Sequence, residues 1–163
     1  MRYSMKEKFW SFGAKFNICD VQQQPVYVVS GQPFSWGSKL SLQDTGGKEL
    51  AFISQKLLSW KPRYEIFRGG QLFAEVVKEF SWFNKIFTLD VPGPNDYSIE
   101  GSFWQHEYSF VRGGQQVASV SKQYFSWTDT YGIDIVDGDD DVAILATVIV
   151  IDQVLHNERR RSG

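Results

Sequence analysis

The sequence predicts a mainly β protein in which about ten to twelve short strands surround one hydrophobic C-terminal helix. Aromatic side chains make up 16% of the 163 residues, and such residues favour strands and fill large cores. Short apolar segments separated by turn residues run through most of the chain. A single apolar run, Val142–Leu155, then follows near the C-terminus. A helix that is apolar on every side must be enclosed on every side or enter a membrane.

An internal repeat organises the strand region. The segment Tyr64–Gln71 aligns without a gap with Tyr108–Gln115, and the tripeptide Phe-Ser-Trp begins at Phe34, Phe80 and Phe125. The period of about 45 residues is typical of repeated supersecondary units. Three units are too few for a propeller and lack the amphipathic pattern of helical arrays. Each unit therefore indicates strands joined by turns.

Glycine pairs mark the predicted hairpins. Gly69-Gly70 and Gly113-Gly114 stand between apolar segments and supply the positive φ angles that tight hairpin turns require. The segment Asp44–Lys48 separates the strands predicted at Lys39–Leu42 and Leu50–Ile53. The segment Pro92–Asp96 is a longer break, because proline is excluded from central strands.

The apolar run Val142–Leu155 is predicted to be a buried helix. As a strand its fourteen residues would span about 46 Å, whereas as a helix they span about 21 Å, which suits one domain. Asp139–Asp141 suit the positive N-terminal end of a helix, and Arg159–Arg161 lie beyond its negative end. A membrane span needs about 20 apolar residues, so the run is too short. Within it, Asp152 must reach solvent or a partner at the rim of the sheet.

One domain is therefore expected over residues 1–156, with a core helix at about 140–155. Residues 157–163 form a charged tail that is expected to fray. The formal net charge of −2 offers no global basic field for nucleic acid. The polar N-terminal segment does not resemble a signal peptide, and the single cysteine, Cys19, is expected to be a small buried side chain. We expect a cytoplasmic protein.

The possible chemical sites are weak. Asp137, Asp139 and Asp141 alternate like calcium ligands, but valine occupies the positions where an EF-hand loop needs Gly and Glu. Helix capping is the favoured interpretation of residues Asp137–Asp141, and cation binding stays open. His106 and His156 are 50 residues apart, so no zinc spacing exists, and His106 is expected to be a surface or cross-strand residue.

No catalytic motif emerges either. A nucleophile elbow and a phosphate-binding loop are both absent from the sequence. Nothing places Glu100 and Glu107 together as a catalytic pair. We therefore predict a non-enzyme with no catalytic residues, no metal site and no cofactor.

Several stretches resemble the LURP-one-related family, namely Met1–Lys8, Tyr64–Arg68, Ile99–Phe103, Val117–Lys122, Asp129–Gly132 and Ala146–Gln153. The resemblance covers nearly the whole chain. It implies the fold of the tubby C-terminal domain, a closed antiparallel barrel of about twelve strands around a central hydrophobic helix. Phospholipid scramblases are distantly similar, and tubby domains bind phosphoinositide headgroups. Activities do not transfer by fold alone, and no headgroup-site pattern matches here.

Basic residues offer one candidate binding site. Lys56, Lys61 and Arg63 are the predicted contacts with lipid headgroups, where each basic residue near an anionic leaflet contributes about 1 kcal/mol. Trp60 and Trp10 are candidates for the membrane interface. Weaker basic groups are Lys6, Lys8, Lys15 and Arg159–Arg161.

Four functions stay open at this point. The first is association with anionic membrane lipids, and the alternative is a protein-interaction scaffold that binds no lipid. A ligand-carrying barrel is the third, and a helix in the interior would leave it no cavity. A scramblase-like membrane protein is a further, weaker alternative. We expect no nucleic-acid partner and no transmembrane span.

Overall fold

The computed structural model describes residues 1–7, 15–31, 37–80, 86–126 and 129–163. Over these residues the chain forms twelve strands and one long helix. The strands are β1 (Arg2–Lys6), β2 (Lys15–Cys19), β3 (Pro25–Gly31), β4 (Lys39–Asp44), β5 (Glu49–Gln55), β6 (Arg63–Arg68), β7 (Gln71–Glu79), β8 (Ile86–Asp90), β9 (Tyr97–Ser102), β10 (Glu107–Arg112), β11 (Gln115–Ser121) and β12 (Thr130–Ile135). The helix α1 spans Asp141–Ser162.

The strands close into a single antiparallel barrel. Each strand pairs with its neighbours in sequence, and β1 pairs with β12 so that Tyr3 lies opposite Ile133 and closes the wall. Along most strands buried residues alternate with more exposed ones, as in Leu40 and Leu42 of β4. The predicted barrel of about twelve strands is confirmed.

The glycine turns have the predicted conformations. Gly69 and Gly70 have φ angles of 55° and 77°, and Gly113 and Gly114 have 58° and 78°. Both pairs join antiparallel strands directly, because two consecutive residues with positive φ match the twist of a hairpin. The Phe-Ser-Trp copies lie wholly or partly outside the described residues, which exclude 32–36, 81–85 and 127–128.

Helix α1 runs through the lumen of the barrel. Every residue from Ala143 to Leu155 is buried, so no face of this stretch reaches solvent. The inward side chains of the strands join it in one hydrophobic cluster. Asp140 caps the helix, because its Oδ1 accepts a hydrogen bond from the Ala143 N–H at 3.0 Å. The predicted core helix and its acidic cap are confirmed, and the interior holds this helix in place of a carrier's cavity.

The helix continues seven residues beyond the predicted end at Leu155, to Ser162, so residues 157–162 are helical where we expected a frayed tail. Neighbouring side chains hold this extension. Lys78 forms an ion pair with Glu158, and the Arg159 guanidinium lies 4.9 Å from the centre of the Trp104 ring. Arginines in the last turn also face the negative end of the helix dipole.

The two ends of the barrel differ. One end, which we call the turn end, carries the Gly69-Gly70 and Gly113-Gly114 hairpins and the start of α1. The other, the loop end, carries longer connections and the C-terminal half of α1. In sequence, each of the six segments that join strands at the loop end contains one tryptophan, at positions 10, 36, 60, 82, 104 and 127. Of these, only Trp60 and Trp104 lie among the described residues.

Candidate functional site

At the turn end, two arginines form ion pairs with aspartates at the start of the helix. The Arg68 guanidinium donates to both oxygens of Asp140, at 2.8 and 2.6 Å. Arg112 donates to Asp139 at 2.8 Å, and the Tyr97 hydroxyl donates to the same carboxylate at 2.6 Å. Arg68 and Arg112 occupy equivalent positions in the two aligned repeats. The repeat therefore supplies two equivalent arginines, which pair with two consecutive aspartates.

The carboxylates in these ion pairs belong to the acidic loop that resembled a calcium site. Tyr3 donates to Asp141, and the exposed Asp137 lies 3.5 Å from the N-terminal ammonium. Burial alone would raise the pKa of Asp140. The bond from Arg68, the Ala143 N–H and the nearby guanidinium charges outweigh burial, so this pKa falls below its ordinary value. Among the described residues no group of three or more potential ligands is arranged to hold a metal.

The predicted headgroup contacts do lie together on β6 and the segment before it, but each faces a carboxylate. Lys61 forms an ion pair with Glu79, while Arg63 donates to Glu75 at 2.9 Å. Lys56 lies 4.0 Å from the other oxygen of Glu75. These pairs neutralise much of the positive charge that the sequence alone suggested.

Beside this cluster the loop end exposes apolar side chains. Leu58 and Trp60 are fully exposed, Phe80 is 70% exposed and Leu57 is 53% exposed. Of these four residues, only Trp60 was predicted from the sequence to lie at an interface. The pair Leu57-Leu58 could have indicated this exposure, because it lies in a connection between strands, where apolar side chains have no sheet face to pack on.

The end of α1 lies next to the same loop. Burial raises the pKa of Tyr64, the second residue of β6, to about 12, while the nearby charge of Arg161 acts in the opposite direction. Arg161, in the last turn of α1, therefore lies near the strand that follows the exposed loop. Arg159–Arg161 are exposed. These exposed apolar residues, Leu57, Leu58, Trp60 and Phe80, together with the exposed Arg160 and Arg161 at the same end of the barrel, are called the loop-end patch below.

A buried polar cluster lies where α1 leaves the lumen. Tyr131 donates to Oδ2 of Asp152, and Nε2 of His106 lies 3.3 Å from Oδ1 of the same carboxylate. The His106 ring stacks on Tyr131 with a 4.3 Å centroid distance. Asp152 is 6% exposed and His106 8%. Burial first, then the charge of Asp152, raises the pKa of Tyr131 and of Tyr108, so both are neutral phenols.

His106 was expected on the surface or as a cross-strand partner, and this prediction is wrong. The residue follows a 3-10 turn at Phe103–Gln105 and has a φ of 53°, outside the regular strand. This conformation turns the ring inward, towards the helix. Asp152, in contrast, has the partner at the rim that the sequence required.

The same cluster forms the floor of a small pocket. The pocket has a volume of about 40 Å³ and is lined by Glu7, Trp104, His106, Asp152, Leu155, His156 and Arg159. Burial, together with the charges of Arg160 and Arg159, lowers the pKa of His156, so its ring is neutral at pH 7. Lys122 forms an ion pair with Glu7 at the edge of the pocket. This site is called the exit pocket below.

The remaining sequence candidates are separate from these sites. Glu107 accepts bonds from the Ser121 hydroxyl and the Lys122 N–H at 2.9 and 3.0 Å, whereas Glu100 is exposed and accepts a bond from Ser98 at 3.1 Å. Cys19 is only half-buried, and burial raises its pKa. Lys8 and Trp10 lie outside the described residues.

No helix among the described residues is long and apolar enough to cross a membrane.

The fold defines a class of protein, the antiparallel β-barrel with its own C-terminal helix in the lumen. A family model described as LURP-one-related matches residues 1–152. The chain belongs to the LURP-one-related family.

Two individual proteins are similar to this chain. The uncharacterized protein YxjI of Bacillus subtilis (strain 168) is 38% identical over 158 residues, which cover 97% of this chain and 96% of that protein. A crystal structure of a protein from Arabidopsis thaliana superposes with a TM-score of 0.64 at 17% identity, covering 95% of this chain and 91% of the other. At that identity the second likeness shows the fold alone.

Proposed function

We propose that this barrel is a binding domain, without catalytic activity, that associates with the cytoplasmic surface of an anionic membrane through its loop-end patch. The single observation that carries the proposal is the full exposure of Leu58 and Trp60 within three residues of each other. Isolated exposed apolar residues are ordinary, but a leucine and a tryptophan projecting from one loop suit the interfacial region of a bilayer.

Charge supports a membrane as the occupant. Arg160 and Arg161 lie in the last turn of α1, at the same end of the barrel as the apolar loop, and Arg161 lies near the strand that follows this loop. Basic residues near an anionic leaflet add about 1 kcal/mol each. Lys56, Lys61 and Arg63 remain candidate contacts, but their pairing with Glu75 and Glu79 reduces the attraction they offer.

The apolar contribution is larger. Transfer of a fully exposed leucine side chain out of water contributes about 1.5–3 kcal/mol, and a tryptophan contributes at least as much by area. Two such side chains and two arginines together give reversible binding to a surface, in the range typical of peripheral proteins. Higher salt should therefore weaken the interaction without abolishing it.

The test is flotation with vesicles of phosphatidylcholine alone or mixed with phosphatidylglycerol. We expect the wild-type protein to float with the anionic vesicles. The double variant Leu58→Ser/Trp60→Ser should lose most of this binding, and Arg160→Gln/Arg161→Gln should lose the preference for anionic lipid. The triple variant Lys56→Gln/Lys61→Gln/Arg63→Gln should have a smaller effect, because these charges are already paired.

The matched control is Leu72→Ser, which removes an exposed leucine (51% exposed) near the turn end. It should float like the wild type. Failure of the wild type to bind either vesicle, or unchanged binding by Leu58→Ser/Trp60→Ser, would overturn the proposal and favour the protein-interaction scaffold.

A further inference from the structure

We propose that the barrel is electrically polar along its axis, and that this polarity turns the loop end towards an anionic membrane before contact. The inference deepens the proposed function and rests on it. A net charge of −2 would by itself oppose approach to an anionic surface. The pattern of ion pairs answers this objection, because unpaired charges of opposite sign collect at opposite ends of the barrel.

Positive charge without an ion pair collects at the loop end. Of the described lysines and arginines that no carboxylate neutralises, all but Lys48 lie at this end, namely Lys6, Lys15, Lys39, Arg159, Arg160 and Arg161. Lys6 ends β1, whereas Lys15 and Lys39 begin β2 and β4. These three, called the rim lysines below, therefore lie along one stretch of the rim, since β1 to β4 are consecutive in the barrel.

The rim lysines adjoin the exposed apolar loop. The N–H of Gln55 donates to the carbonyl of Ser38, the residue before Lys39, at 2.9 Å. Gln55 ends β5, shortly before the connection that carries Leu58 and Trp60. Lys39 therefore lies beside this connection, and basic and apolar groups share one end face.

Most carboxylates at the loop end are already neutralised. Glu7, Glu79 and Glu158 each form an ion pair with a lysine. The described loop-end carboxylates without an ion pair are Glu100, Glu107 and Asp129. The C-terminal end of α1 adds about half a negative charge. The unpaired lysines and arginines outweigh these groups, so the loop end is positive.

The turn end has the opposite sign. Its described carboxylates without an ion pair are Asp20, Asp44, Glu49, Asp90, Asp96 and Asp141. Burial first, then the charges of Asp96 and Glu75, raises the pKa of Asp90. Negative charge is therefore concentrated enough here for neighbouring carboxylates to repel one another.

The two ends are far enough apart for their charges to act separately. Helix α1 runs from one end to the other, and its 22 residues at 1.5 Å per residue give about 33 Å. The Debye length at physiological ionic strength is about 8 Å. A membrane close to the loop end therefore attracts the unpaired basic groups, while its repulsion of the turn end is screened over about four Debye lengths.

The first measurement tests the polarity without lipid, through retention on a sulfopropyl cation exchanger at pH 7 and low salt. We expect the wild-type protein to be retained despite its net negative charge. Lys15→Gln should elute at lower salt. Lys48→Gln removes the same charge from an exposed lysine at the turn end and should elute like the wild type. No retention of the wild type, or equal shifts in the two variants, would overturn the proposal.

The second measurement follows the rate of association with phosphatidylcholine–phosphatidylglycerol vesicles, by energy transfer from tryptophan to a dansyl lipid. Charges at the edge of an interface act mainly on this rate. Lys15→Gln should slow association by up to about fivefold, the equivalent of one basic residue near an anionic leaflet. Glu49→Gln removes a negative charge from the turn end and should leave the rate unchanged. A rise for Glu49→Gln as large as the fall for Lys15→Gln would mean that net charge alone governs approach, which would refute the proposal.

The third measurement reports which end touches the membrane. A nitrobenzoxadiazole label is attached, in a Cys19→Ser background, through either Ser59→Cys in the apolar loop or Thr45→Cys in the β4–β5 turn. Only the loop-end label should brighten on binding. Equal brightening of both labels would leave membrane association intact and refute the polar approach. Retention on the exchanger without any vesicle binding would refute the membrane proposal and leave the polarity of the barrel supported.

Discussion

At the scale of single residues, the start of α1 depends on charged groups that are shielded from water to different degrees. Asp139 has a side chain only 1% exposed, yet its partner Arg112 is 38% exposed. The arginine therefore brings compensating charge to a carboxylate that water does not reach. A buried carboxylate without its partner is strongly destabilising.

We predict that Arg112→Gln lowers the free energy of unfolding by about 3 kcal/mol, because it leaves the buried Asp139 carboxylate with only neutral donors, the Tyr97 hydroxyl and the Asp140 N–H. Urea denaturation measures the change. The control is Arg2→Gln, which breaks an ion pair with Asp134 whose members are 39% and 43% exposed. That variant should lose about 1 kcal/mol or less. Equal losses in both variants would contradict the role assigned to Arg112.

The lowered pKa of Asp140 predicts acid sensitivity. A carboxyl group whose folded pKa lies below its unfolded value of 3.8 contributes stability above that value and loses it as the pH falls through the folded pKa. Urea midpoints should therefore fall as the pH decreases below about 4. In Asp140→Asn, which retains a capping oxygen, this part of the pH dependence should disappear, and an unchanged slope would show that other carboxyl groups account for it.

At the scale of elements, the helix and the turns could be predicted, and the contacts between distant elements could not. The length of the run Val142–Leu155 indicated a buried helix. The glycine pairs indicated hairpin turns. Arg68, by contrast, meets Asp140 across 72 positions of sequence, and only the register of the barrel brings them together. His106 was misplaced for the same reason, because its partner Asp152 lies on a different element.

Helix α1 supplies the core that the strands share, so a charge in its middle should prevent folding. Ile149 is fully buried, and no described partner could neutralise a carboxylate there. We predict that Ile149→Asp yields no cooperative thermal transition. The conservative change Ile149→Val should fold and lose about 0.5–1.5 kcal/mol. Recovery of Ile149→Asp with a cooperative melt would contradict the central position of this residue.

At the scale of the whole molecule, the two ends of the barrel have different roles. The turn end fixes the helix with paired charges and has short connections. The loop end carries the exposed apolar loop with Leu58 and Trp60, the basic end of α1 and the exit pocket. The sequence alone did not show which connections share an end of the barrel, because that depends on how the twelve antiparallel strands alternate in direction. Membrane binding, as proposed above, belongs to the loop end.

The pairing of β1 with β12 has a consequence for folding kinetics. The N-terminal ammonium bonds the Ile135 carbonyl across 134 positions, so this seam is among the most non-local contacts in the chain. Neighbouring hairpins close short loops, whereas this seam closes a loop of nearly the whole chain. High contact order of this kind slows folding. Until α1 occupies the lumen, the apolar inward side chains of the strands lack their packing partner, and exposed apolar surface of this kind favours aggregation.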